Sequence, residues 1–105
     1  AIIGIAGSID HTNAESFSDE LAGPLDAGFA AGQPVIFNLA GLEYISSAGL
    51  RVLMIASRTA KEKEGRLMVA GWSETIKEIF TISRFNLIFE CFDTLAEAEA
   101  KLAEG

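Results

Sequence analysis

Two adjacent hydroxyls, Ser46 and Ser47, stand where the apolar strand pattern Val35-Ile36-Phe37-Asn38-Leu39 gives way, through Tyr44-Ile45, to the helix pattern Ala48-Gly49-Leu50. The start of a helix has chemistry of its own. Its first four N–H groups lack internal partners, and the aligned peptide dipoles favour anions there, phosphate included. A serine in that place caps the helix or carries a charge, and capping is the ordinary role of Ser46. Asp10 ends another strand pattern, after Gly7-Ser8-Ile9. It reads either as a turn former, since aspartate readily bonds its own following backbone, or as a member of the same site.

Catalytic chemistry fails on inventory. A Ser-His-Asp hydrolase would have to use His11, the only histidine, and position 45 is Ile, so Ser47 does not sit in Gly-x-Ser-x-Gly. No set of His, Cys or spaced carboxylates has metal-ligand spacing, and neither glycine-rich nucleotide motif is present. The expectation is therefore a chain that is not an enzyme and that needs neither cofactor nor metal. Cys91, between Phe89 and Phe92, reads as a small buried hydrophobe, Tyr44 as packing at a strand edge and Trp72 as core rim.

The hydroxyls must be positioned by alternating elements. Ile2 to Ile9 reads as a strand, and Asn13 as the N-cap of a helix in which Phe17, Leu21 and Leu25 recur every four residues. Pro24 interrupts that pattern, which predicts a kink or two short helices between about 13 and 31. Gly32-Gln33-Pro34 breaks the chain before the strand Val35 to Leu39. A helix is expected from about Ala48 to Glu64, stopped by Gly65, then a strand over 66–70. Ser73 caps a short helix with Ile76, Ile79 and Phe80 on one face, and Leu87 to Phe92 reads as the last strand. Asp93 or Thr94 caps a closing helix with Leu95, Ala98 and Leu102 inward.

Strands separated by helices of this length predict an α/β fold, a small mostly parallel sheet with helices packed on it. Functional groups in such sheets gather beyond the carboxyl ends of the strands, where Asp10, Ser46 and Ser47 fall. On the helix after the serines, Leu50, Leu53, Met54 and Ser57 suit a core stripe, while Val52, Ile55, Ala56 and Thr59 occupy the other sides. A helix start that is apolar nearly all round is deeply buried or offers a patch to a partner, which makes Val52 and Ile55 candidate partner-binding residues.

This order of strand, turn, hydroxyl, small residue, Gly49, Leu50 and apolar helix resembles the signature of the STAS domain family, known best from bacterial anti-sigma-factor antagonists. The family's common form is Asp-Ser-Ser-Gly-Leu or a close variant, with the serine two residues before the glycine phosphorylated; that residue is Ser47 here. Gly7-Ser8-Ile9-Asp10 with Asn13-Ala14 resembles the family's early Gly-x-Leu-Asp segment and helix start, and Phe92-Asp93-Thr94-Leu95-Ala96-Glu97-Ala98 its closing helix. The resemblance implies a single STAS domain over 1–105 and leaves room for a leading strand ahead of it. It also implies phosphorylation of Ser47 with Asp10, Ser46 and Gly49 as supporting residues. In one place the chain departs from the pattern: Ser46 occupies the position of the family's usual aspartate.

Composition fits such a module. The 105 residues are 50% hydrophobic, enough for one packed core. A formal net charge of −7 argues against non-specific contact with nucleic acid or anionic membrane, both of which need basic patches. A single cysteine forms no internal disulfide and fits a reducing compartment, and no apolar run is long enough to span a bilayer. The expected function is that of a cytoplasmic regulatory protein-binding module, resembling an anti-sigma-factor antagonist, whose partner is an anti-sigma factor with serine kinase activity. The alternative is a STAS subunit of a larger assembly, a stressosome-like scaffold or a lipid-transport complex, without a phosphorylation switch.

Overall fold

Val35, Ile36 and Phe37, like all four residues of Leu67–Ala70, are buried on both faces of their strands, as a parallel sheet covered on both sides requires. The computed structural model, which describes residues 1–104, builds them into a four-stranded sheet. Its strands are β1 (Ile2–Ile9), β2 (Val35–Ile45), β3 (Leu67–Ala70) and β4 (Glu90–Phe92). They lie in the order β1-β2-β3-β4, and every neighbouring pair is parallel. The helices are α1 (Ala14–Ala30), α2 (Ser47–Glu62), α3 (Glu74–Ile82) and α4 (Leu95–Ala103). Successive crossovers put α1, α2 and α3 on one face, where they enclose the larger core around Phe37, Leu39, Leu53 and Phe80. The opposite face carries a smaller cluster in which Ala98, Leu95 and Leu102 of α4 cover Ile36, Met68 and Ala70.

Where the elements differ from expectation, the cause is local. Pro24 does not break α1, which runs through it as one helix. Pro24 and Glu20, whose carbonyl loses its donor, lie on the exposed side, opposite buried Phe17, Leu21, Leu25 and Phe29, so water takes over the lost bond. Residues 40–44 continue the strand rather than connecting it. The register against β1 shifts twice along this stretch, each shift adding one residue to β2. The bulges bring Leu39, Leu42 and Ile45 to the core at a spacing of three, although a regular strand repeats every two.

Leu87 to Phe92 is not one strand. A 3-10 turn at Phe85–Leu87 precedes β4, because Phe85 and Phe89 both enter the core one helical turn apart while Leu87 stays 76% exposed. The end of α2 is also built differently from the expected glycine stop. Glu64 takes the left-handed conformation at φ 55°, and the Gly65 amide then donates to the Ala60 carbonyl, a Schellman closure. Gly65 serves close approach instead: a Cβ there would stand 2.6 Å from the Phe29 ring.

Candidate functional site

The site forms where β1 and β2 end side by side. The Ser46 amide donates to the Ile9 carbonyl at 2.8 Å, which ties the start of α2 to the last residue of β1 and brings Asp10 to the same edge. Gly49 makes the approach close. A Cβ on it would lie 2.6 Å from Ile45 Cγ1 and 2.8 Å from Ile9 Cγ2, so the first turn of α2 rests directly on both strand ends.

The paired serines occupy unlike environments. Ser46 is the N-cap residue of α2, with extended backbone (φ −87°, ψ 176°), and its carbonyl accepts from the Leu50 amide. Its hydroxyl caps nothing. Ser46 Oγ is buried without a hydrogen-bond partner, the one such side-chain atom among the described residues. Ser47, the first helical residue, is exposed. Elsewhere the expected caps form: Ser73 accepts from the Ile76 amide and Thr94, not Asp93, from the Glu97 amide. Asn13 holds the N-cap position of α1 without capping it, because its side chain accepts from the Asp10 amide and donates to the Ser8 carbonyl.

Asp10 is a turn residue in this arrangement. The amide and hydroxyl of Thr12 both donate to its Oδ1, and these bonds, the hydroxyl's first, hold its carboxyl below the usual carboxylate range. Asp10 and the serines are therefore brought to one edge, with the carboxylate occupied by its own loop.

Family and relatives are consistent with this geometry. Residues 1–98 match the model of the STAS domain. The chain belongs to the STAS domain family. A curated relative from Bordetella bronchiseptica, named anti-sigma factor antagonist BtrV, is 33% identical over 96 residues, covering 91% of this chain and 80% of the relative. Among solved structures, an anti-sigma factor antagonist from Thermotoga maritima superposes with a TM-score of 0.80 at 17% identity, over 95% of this chain and 86% of that one. The Bacillus cell fate determinant SpoIIAA, solved in its phosphorylated form, gives a TM-score of 0.63 at 20% identity, over 96% and 88%. At these identities the two structures establish likeness of fold.

Around Ser47 lies an open groove between two helix starts. Ala14, Glu15 and Ser18 of α1 face Ser47, Ala48, Arg51 and Val52 of α2 across it. Neither helix start is capped by a side-chain hydrogen bond. Reasoning from the sequence missed Glu15, Ser18 and Arg51, although the place of Arg51 one helical turn after Ser47 was a usable signal. The groove continues between the two helices past Val52, Ile55, Leu21 and Leu25. Val52 is half-buried and packs on the core; Ile55 is 52% exposed. Ala56, expected off the core stripe, is buried in it, and Met54, expected in the stripe, is half-buried.

The remaining candidates are structural. Trp72 packs edge-on against Phe80, and its indole N–H donates to Asp93. Burial pushes the Cys91 thiol up to about 11, which keeps it protonated at neutral pH. Tyr44 is exposed at the strand edge rather than packed. No group of three or more His, Cys, Asp or Glu among the described residues is placed to hold a metal, and no described helix is long and apolar enough to cross a membrane.

Proposed function

We propose that this STAS domain is an anti-sigma-factor antagonist of the cytoplasm, switched by phosphorylation of Ser47 and acting by binding rather than catalysis. The observation that carries the reading is the contrast between the two serines: Ser47 stands exposed at the rim of the groove, whereas Ser46 Oγ is buried. Only the former is open to a kinase. The partner is an anti-sigma factor with serine kinase activity, which docks over the groove and the adjoining Val52 and Ile55. It passes the γ-phosphoryl group of a bound nucleoside triphosphate to Ser47 Oγ; the serine proton leaves to a base on the partner and the diphosphate departs. The relative named as an antagonist and the phosphorylated form of SpoIIAA support the same reading.

Phosphate adds a charge of about −1.5 to −2 at the point of contact. Two uncapped helix starts beside it favour the anion, so the domain keeps its fold. An acidic group of the partner about 4 Å away, at an effective dielectric near 20, would be repelled by about 4 kcal/mol, close to a thousandfold in affinity. Asp10 and Gly49 support the switch by fixing the turn and the seat of α2.

Calorimetry against the cognate kinase, with mass spectrometry of the products, tests the scheme. Wild-type protein should gain phosphate on Ser47 and lose affinity. Ser47→Ala should stay unmodified and keep binding, and Ser47→Asp should bind more weakly than Ser47→Ala. Phosphate on Ser46 would defeat the assignment to Ser47, and equal affinity for the Ala and Asp variants would favour a static subunit of a larger assembly instead.

A further inference from the structure

Arg51 has no ion-pair partner among the described residues. It is exposed on α2, four residues after Ser47. Yet it lines the same groove as Ser47. Residues four apart on a helix lie one above the other, and an acidic group followed by a basic one is the favourable order. In the unmodified protein that order is absent, because Ser47 is neutral. We propose that Arg51 is the intramolecular counter-ion of phosphorylated Ser47, so that modification creates an i,i+4 ion pair along the first turn of α2. The inference rests on the phosphorylation reading above and adds a residue to it.

A guanidinium suits this task because its planar fork of N–H donors meets phosphate oxygens in pairs. The pair holds the phosphate down on the helix and withdraws Arg51 from whatever acidic group of the partner it meets when Ser47 is free. Modification would then alter two charges of the contact surface with one covalent step. Glu15 of α1, the other charged residue lining the groove, works against the phosphate and towards Arg51.

The test installs phosphoserine at position 47 of the full chain genetically, so that it does not depend on a kinase. Phosphorus NMR then follows the second ionisation of the phosphate in the otherwise unchanged protein, in Arg51→Gln and in Arg51→Lys. An adjacent cation favours the dianion, so that ionisation should occur about 0.3 lower in pH with Arg51 present than in the Arg51→Gln variant, and the difference should shrink in high salt. Arg51→Lys should retain part of the effect. Unmodified Arg51→Gln should melt with the unmodified parent, since Arg51 is exposed and unpaired. Equal ionisation in the parent and the Arg51→Gln variant, or a difference that survives high salt undiminished, would overturn the counter-ion role while leaving the kinase reading standing. Failure of a kinase to modify Ser47 would do the reverse.

Discussion

At the scale of single residues, the difference between Ser46 and Ser47 is geometric, since their chemistry is the same. Serine at an N-cap ordinarily contributes ~1 kcal/mol by accepting from an amide two or three residues on. Ser46 has the backbone of an N-cap and none of that bond, and its buried Oγ bears the desolvation cost of an unpaired hydroxyl. Ser46→Ala should therefore change unfolding free energy by less than about 0.5 kcal/mol, or raise it, where a working cap would lose ~1 kcal/mol. Urea denaturation decides this. A loss of ~1 kcal/mol or more would mean that the hydroxyl caps α2 in solution. The serine pair was legible as a helix start from residue types alone. Which hydroxyl faces solvent was not, because that depends on a strand end and a helix axis set by Ile9, Ile45 and Gly49.

At the scale of elements, the sequence was readable wherever a regular period ran and unreadable where a bulge or turn changed it. The four-residue repeat of Phe17, Leu21 and Leu25 marked α1 correctly, and exposure of Pro24 allowed the helix to continue. The spacing of Leu39, Leu42 and Ile45 matches no regular strand, so the second half of β2 read as a connection. Helix α2 buries Leu50, Leu53, Ala56, Ser57 and Ala60 and leaves Ile55 beside the groove. Because Ile55 is half exposed, Ile55→Lys should alter stability by no more than about 0.5 kcal/mol. Its charge on the proposed docking surface should weaken partner capture by roughly tenfold or more. Paired melting curves and binding titrations separate the possibilities. A large fall in melting temperature would make Ile55 a core residue, and unchanged affinity would move the docking surface elsewhere.

Across the whole molecule, the acid response sets two opposed effects against each other. The net charge of −7 repels itself at neutral pH, and protonating carboxylates towards the isoelectric point near 4.5 relieves that repulsion. Against this stand three carboxylates held below their usual range in the fold. Asp10 is held by Thr12, Glu90 chiefly by hydrogen bonds from the Arg66 guanidinium, and Asp93 by the Trp72 indole N–H and then Lys77. A carboxyl whose folded value is depressed contributes stability that is complete above the unfolded value, near 4, and disappears as pH falls through the folded value. Melting temperature should thus hold or rise slightly between pH 7 and about 5, then fall steeply below that. Added salt at pH 7 should raise it by screening the excess negative charge. Combining Asp10→Asn, Glu90→Gln and Asp93→Asn keeps acceptor oxygens in all three places but removes the titrating charge, so the slope below pH 5 should flatten. A triple variant with the acid slope of the parent would mean that these contacts are too well solvated to matter and that general charge repulsion alone governs acid unfolding.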